Sequence, residues 1–259
     1  MSSILFDKIV FGPVNSRRLG KSLGINLLPD TVKVCSMDCI YCECGWGDKK
    51  SVQKCKLLPA SEIIFVLKKQ FEQMHNDKIK IDSITYSGNG EPTLHQQFAE
   101  ITDEIISLRN KYFPQTIITC LSNSTQLHRN DVRNALKSID NPLMKLDVGT
   151  QSAFELINKP FSDMKLNDIC ENLKEFGNKR VIQTLFLRGK LDNNMVVDNT
   201  IDEEVAAWIK RLAYIQPHKV ILYSIDRETP AKQLEKIDKN ILLQIATKVQ
   251  TLGIETECF

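Results

Sequence analysis

Cys35-Ser36-Met37-Asp38-Cys39-Ile40-Tyr41-Cys42 sets three thiols at spacings of four and three residues, directly after the first strand-like run at 22–28. A reducing cytosol disfavours disulfides, so cysteines clustered this closely read as metal ligands or redox groups. A cubane iron–sulfur cluster takes four cysteines as a full set. Three thiols at this spacing can wrap three corners and leave one iron free for a substrate or cofactor. Zinc is the alternative: structural zinc prefers paired knuckles with four ligands, and Cys44 or Cys55 could complete such a set.

Around that loop the composition is ordinary. The chain has 259 residues, 42% hydrophobic and 25% charged, with 34 Lys+Arg against 32 Asp+Glu. At this size one core buries roughly 70–75% of the surface, so no disulfide or metal staple is needed for stability. A net charge of +2 excludes a disordered polyelectrolyte and does not advertise a nucleic-acid binder. No run approaches the ~18–20 apolar residues of a membrane helix. Residues 1–8 lack the charged-then-apolar build of a signal peptide. The expectation is a cytoplasmic protein without a membrane partner. It is a single domain over 1–259, with a cluster loop at 29–60 and a last short strand or tail at 253–259. Five of the eight cysteines lie between 35 and 55. Cys120, Cys170 and Cys258 read as small buried hydrophobes, and His75, His95, His128 and His218 as surface residues.

Further out, two element types alternate. β-Branched runs lie at 22–28, 81–87, 116–122, 143–148, 180–187 and 219–225. Helical periodicity fills 61–75, 94–112, 131–139, 166–176, 200–215 and 238–252, the last closed by Gly253. It is cleanest over 94–112, where Leu94, Phe98, Ile101, Ile105 and Leu108 follow one another at spacings of 4, 3, 4 and 3. Strands alternating with helices predict parallel βα units, and nearly continuous apolar strands predict a sheet covered on both faces. A β/α barrel, complete or partial, and an open doubly wound sheet both satisfy that pattern. In either, chemistry belongs just after the C-terminal ends of the strands.

A second motif follows the second strand: Tyr86-Ser87-Gly88-Asn89-Gly90-Glu91-Pro92-Thr93. Its glycines let backbone approach a ligand closely and its proline starts a helix, although a plain βα turn uses the same residues. C-x3-C-x2-C with Tyr41 before its last cysteine, followed by this element, resembles the radical S-adenosylmethionine (radical SAM) superfamily. The resemblance implies an α/β fold, a partial (β/α)6 TIM-type barrel. It implies a 4Fe–4S cluster on Cys35, Cys39 and Cys42, with S-adenosylmethionine chelating the open iron through its amino and carboxylate groups. One electron, from a donor such as flavodoxin or ferredoxin, then cleaves the sulfonium to methionine and a 5′-deoxyadenosyl radical that abstracts hydrogen. By the same resemblance Gly88, Asn89, Gly90 and Glu91 hold the amino group, with Asn89 standing where a glycine is common. Tyr41 lies near the adenine. Asn123, Asp147 and Arg188, at the ends of strands three to five, meet the ribose hydroxyls and the carboxylate. Strand six, around Tyr223, offers backbone to the adenine, and Arg227 faces substrate. Each polar residue could equally be a satisfied rim group. Hydrogen abstraction by a carbon radical needs no general base, and no catalytic side chain is assigned.

The opening Phe11-Gly12-Pro13-Val14-Asn15-Ser16-Arg17-Arg18-Leu19-Gly20-Lys21-Ser22-Leu23-Gly24-Ile25 is similar to an element of the wyosine-synthase-like radical SAM group. Lys145-Leu146-Asp147 and Arg227-Glu228-Thr229-Pro230-Ala231 are similar to that group's patterns as well, which implies a tRNA base as a candidate substrate. Wyosine synthases carry an additional N-terminal cysteine set and a lysine that engages pyruvate. No cysteine precedes Cys35 here, so the likeness bears on fold and cofactor more than on substrate. Arg17, Arg18 and Lys21 fit phosphate contacts or rim salt bridges equally. The segment 43–59 holds Cys44, Cys55 and four lysines. It reads as a cover loop with free thiols, or as part of a second cluster if Cys258 folds back. The rival functions are a glycyl-radical-type activase or peptide modifier, and a non-enzymatic binding module stabilised by zinc or an iron–sulfur cluster.

Overall fold

In the computed structural model, which describes residues 5–177, 180–192 and 194–259, each of the six apolar runs forms a strand of one sheet. Residues 1–4 of the segment read for a signal peptide lie outside the described residues. The chain opens with β1 (Val10–Ser16) and β2 (Gly20–Ile25), followed by a long loop with a short helix α1 (Lys49–Lys54). Then come α2 (Ala60–Asn76), β3 (Ser83–Tyr86), α3 (Phe98–Tyr112), β4 (Ile117–Ser122), α4 (Asn130–Ser138) and β5 (Asn141–Lys145). A helical turn α5 (Gln151–Ala153) runs into a π-helical stretch at Phe154–Asn158 before α6 (Leu166–Glu175). The remainder is β6 (Val181–Lys190), β7 (Val196–Asp198), α7 (Asp202–Ile215), β8 (Lys219–Ser224), β9 (Gln233–Lys236), α8 (Lys239–Gln250) and β10 (Glu255–Cys258).

The sheet order is β1-β2-β3-β4-β5-β6-β8-β10. From β2 to β10 every neighbouring pair is parallel, whereas β1 returns antiparallel along β2. Six βα units therefore curl around one core and leave the barrel open between β1 and β10, the two ends of the sheet path. Helix faces follow their periodicity: α2 buries Ile63, Leu67, Phe71 and Met74, and α3 buries Phe98, Ile101, Ile105 and Leu108. Leu94 drops out of α3. Glu91 caps a separate 3₁₀ turn, Pro92–Leu94, and the chain straightens at His95 before Phe98. The last strand expected at 253–259 is β10.

Four features depart from the linear reading. The opening motif is a hairpin, because Gly24 on β2 leaves its face clear for the Phe11 ring of β1; a Cβ there would stand 2.1 Å from that ring. β6 runs on to Lys190, since β7 and β9 pair antiparallel with its extension. His95 is 2% exposed, a correction to its surface assignment: Nε2 faces Leu58 O at 2.9 Å, and Nδ1 accepts from Gln97 N at 3.1 Å. Cys258 is only half-buried, unlike Cys120 and Cys170. No helix among the described residues is long and apolar enough to cross a membrane.

Candidate functional site

Beyond β2 the backbone is fastened to the β3 loop before it reaches the thiols. Asn26 accepts from Asn89 N at 3.1 Å, Val34 N donates to Asn89 O at 2.8 Å, and Glu91 N donates to Val34 O at 2.9 Å. Gly90 sits at φ +138°, and a Cβ there would stand 1.9 Å from Val34 O. The glycine of the second motif thus admits the cysteine loop's own backbone. From Val34 the loop crosses to the π-helical stretch, where Asp38 N donates to Asn158 O (3.1 Å) and Ile40 N to Ile157 O (3.0 Å).

The three thiols are brought to this rim. Cys39 is buried, and Cys35 and Cys42 are half-buried. Asn123 Nδ2, at the end of β4, points at Cys35 Sγ from 3.4 Å, and Asn158 Nδ2 at Cys39 Sγ from 3.5 Å. Lys33, with 2% of its side chain exposed, donates to Asp38 Oδ1 (3.1 Å) and Gly45 O (3.0 Å). Burial alone would lower its pKa, but the charges of Cys42, Cys35, Cys39 and Asp38 outweigh burial and hold the ammonium firmly protonated. Burial pushes Cys35 up to about 12 and raises Cys39. A hydrogen bond from Cys44, helped by Lys33, holds Cys42 down to about 6.

This donor set fits an iron–sulfur cluster. Thiolates are the ligands such clusters use, amide N–H groups facing sulfur offset thiolate charge, and a buried ammonium beside them does the same. Among the described residues no three His, Cys, Asp or Glu side chains form a group that could hold a single metal ion. Cubane corners bind separate irons and need not converge on one point. Cys55 Sγ lies on Val52 O (3.1 Å) and Cys258 Sγ on Leu242 O (3.8 Å), so the three thiols of the second-cluster alternative do not meet.

Next to the thiols, Glu91 is 2% exposed and saturated. Its carboxylate accepts from Thr93 N (3.2 Å), the Thr93 hydroxyl, Ser122 Oγ (3.0 Å) and Asn123 N (2.5 Å), while burial raises its pKa. Across the barrel mouth, Tyr41 donates to Asp147, Asn158 Nδ2 donates to the same Asp147 oxygen at 2.8 Å, and Leu185 N donates to its other oxygen at 2.9 Å. Lys145 Nζ stands 4.6 Å over the Tyr41 ring and 3.0 Å from Tyr223 Oη. Beside Tyr223 a cavity of ≈ 100 Å³ opens at the barrel gap, lined among others by Arg17, Arg18, Glu43, Asp226 and Arg227.

The fold brings Tyr41, Glu91, Asn123 and Asp147 to the rim that carries the thiols, with Tyr223 reaching them through Lys145, and it gives Asn89, Gly88 and Arg188 further neighbours in the chain. Asn89 is fully buried: its amide donates to Phe6 O and Pro29 O at 2.8 Å, and its Oδ1 accepts from Phe6 N at 2.8 Å. Gly88 faces Asn26, whose Oδ1 would stand 2.5 Å from an added Cβ. Arg188 lies within the β6 extension, its Nε 3.9 Å from Asp198. Sequence reading missed Lys33, two positions before Cys35 and so detectable by proximity, and Asn158, which no motif marks.

No family model matches the chain. The UPF0026 protein of Methanocaldococcus jannaschii is 31% identical over 245 residues, covering 93% of this chain and 70% of that protein. Among solved structures, a radical SAM methyltransferase from Sphaerobacter thermophilus matches with a TM-score of 0.65 at 12% identity, over 92% of this chain and 65% of that one. TYW1 with a lysine–pyruvate adduct bound matches with a TM-score of 0.55 at 13% identity, over 89% and 73%. The expected partial barrel is therefore the fold of known radical SAM enzymes, and by its sequence the chain belongs to the UPF0026 family.

Proposed function

We propose that the chain is a single-domain radical SAM enzyme over residues 1–259, with Cys35, Cys39 and Cys42 holding a 4Fe–4S cluster. The observation that carries this reading is the pair of amide donors, Asn123 and Asn158, aimed at Cys35 and Cys39 on a loop docked to the C-terminal rim of the barrel. When bound, the cluster and S-adenosylmethionine supply one-electron cleavage to methionine and a 5′-deoxyadenosyl radical. The protein binds, orients and shields. Lys33 offsets thiolate charge. Lys145, paired with Asp147 at 3.6 Å, is a half-buried cation suited to a carboxylate, Tyr41 lies near the adenine, and β8 around Tyr223 offers the adenine backbone. Gly88, Gly90 and Glu91 serve the amino group chiefly by shaping the rim, Asn89 by bracing it, and Arg188 through the β6 extension.

The test is anaerobic reconstitution with iron and sulfide, a strong reductant and S-adenosylmethionine, beside Cys39→Ala. The wild type forms 5′-deoxyadenosine and the variant forms none. Cluster-loaded wild type without product would leave the metal-stabilised binding module as the better reading.

A tRNA base is the substrate class favoured by the opening motif; in the cavity beside Tyr223, Arg17 pairs with Asp226 at 3.0 Å and Arg227 with Glu43 at 2.6 Å, so Arg18, which donates to Gln183 at 3.0 Å, is the arginine offered to an anionic ligand. Labelled tRNA should bind with an affinity that falls steeply with salt. Binding of a peptide panel instead would favour the activase or peptide-modifier reading. A cytoplasmic setting with flavodoxin or ferredoxin as the electron donor completes the proposal.

A further inference from the structure

The turn of the opening hairpin is fixed on both sides. Ser16 Oγ accepts from Arg18 N at 3.3 Å and Leu19 N at 3.2 Å, and Gly20, at φ +66°, lets the chain pass Asp82, whose Oδ2 accepts from Lys21 N at 2.8 Å. So held, the turn sends two arginines across the barrel gap to different partners. Arg17 meets Asp226 at 3.0 Å, a carboxylate that Lys236 also engages at 2.8 Å, and Arg227 takes Glu43 at 2.6 Å. Both carboxylates that line the cavity beside Tyr223 are thus paired with other cations. Arg18 makes no ion pair among the described residues. Its Nη1 donates to Gln183 Oε1 at 3.0 Å, and its guanidinium stands 4.5 Å over the Tyr223 ring. Gln183 is 3% exposed and is anchored in turn, its Nε2 donating to Leu143 O at 3.3 Å, while Lys145 Nζ donates to Tyr223 Oη at 3.0 Å.

A guanidinium carries five N–H donors in a rigid fork, and one of them serves Gln183. Stacking on an aromatic ring orients that fork, and carboxylate and phosphate are the groups whose geometry it matches. The cavity's volume of ≈ 100 Å³ is that of a head group, whereas pockets that take a whole small molecule run to about 300–1,000 Å³. Resting on the enzyme reading above, we propose that this cavity is an anion subsite, in which Arg18 holds a phosphate or carboxylate group of the substrate while the body of the substrate lies outward through the gap between β1 and β10. Gln183 and Tyr223 are positioning residues: both are neutral, so they aim the guanidinium and leave its charge uncompensated. Tyr41 forms part of the same wall and its hydroxyl bonds Asp147. A substrate anchored at Arg18 therefore lies one side chain away from the residues read as meeting the cofactor.

The experiment is calorimetric titration of the reconstituted protein, in phosphate-free buffer at fixed salt, with inorganic phosphate and separately with acetate. Wild type binds at least one of the two saturably: phosphate alone identifies a phosphate head group, acetate alone a carboxylate, and both the oxyanion geometry they share. Arg18→Gln weakens that binding about tenfold or more, the loss expected for hydrogen bonds to a charged group. Arg17→Gln, which breaks an exposed ion pair, stays within about twofold of wild type. Gln183→Leu keeps the charge but removes the brace, and its affinity falls between those two. Should Arg18→Gln fold poorly, Arg18→Lys repeats the comparison with the charge kept and the fork lost, and again binds more weakly than wild type. No saturable binding of either anion, or equal affinity in wild type and the Arg18 variants, overturns the proposal. 5′-Deoxyadenosine formation is measured on the same wild-type preparation. Product with flat titrations defeats the anion subsite alone, and intact anion binding without product defeats the enzyme reading alone.

Discussion

The barrel body and the cysteine loop are held together by different physics. Around the β strands, stability comes from area: Trp208, Phe71, Phe98 and Phe186 are each 1% exposed or less, and the strands are covered by helices that bury whole apolar faces. Between β2 and α1, Leu27, Val34, Met37 and Ile40 are buried too, but a dense set of polar ties is added to them. The loop is also pinned by Asn26, Asn89, Asn158 and Lys33, and by backbone bridges to the β3 loop and the π-helical stretch. The body should therefore fold without metal, while the loop is positioned by a polar lattice whose members each matter locally.

The widest separation between the regions should come from Trp208→Ala. It removes a side chain packed edge-on to Phe186, with centroids 5.3 Å apart, whose Nε1 donates to Leu146 O at 3.0 Å. Urea unfolding should show a loss of about 3–5 kcal/mol. A Trp208→Ala chain as stable as wild type would mean that the core does not carry the fold. Gly90→Ala acts on the junction. An added methyl meets Val34 O, in a backbone conformation side chains rarely adopt, so about 1–3 kcal/mol is lost. Iron uptake should fall more than the melting temperature does, and parallel losses of both would erase the distinction between the regions.

Within the loop, the metal-free chain treated with iodoacetamide over a range of pH should label Cys42 first, with a midpoint near its pKa of about 6. Labelling rises with pH because the thiolate is the nucleophile. Cys35, held up to about 12, lags, and mass spectrometry of the labelled peptide distinguishes them. Equal labelling of the two would remove the charge asymmetry assigned to Lys33 and Cys44. The smallest effect is that of chelation on the body. Far-ultraviolet circular dichroism of chelated protein should match that of metal-loaded protein, and unfolding on chelation would count decisively for the metal-stabilised module.

Much of the body was legible because periodicity is a local property. Ile63, Leu67 and Phe71 mark α2, and Ile101, Ile105 and Leu108 mark α3, without reference to anything distant. The thiols were legible for the same reason, since their spacing is contained in one short segment. The neighbours that condition them were not. Asn158 reaches Cys39 from 119 residues away, out of the π-helical stretch, and Asn123 reaches Cys35 from 88, at the end of β4. The internal joints at Asn89 and Gly88 were not legible either, because Asn26 and residues 6 and 29 reach them from other segments.

By itself, then, the sequence determined the alternation of strands and helices, the cysteine loop at the end of the first barrel strand, and the cofactor class that loop resembles. Those follow from spacing along the chain. The tertiary structure alone decided that the opening motif is a hairpin at the barrel's open edge, that Lys33 lies buried among the thiols, and that Asn123 and Asn158 face Cys35 and Cys39. Each of these depends on backbone groups finding partners across the fold, where a buried donor or acceptor must be satisfied by whatever the sheet brings within reach.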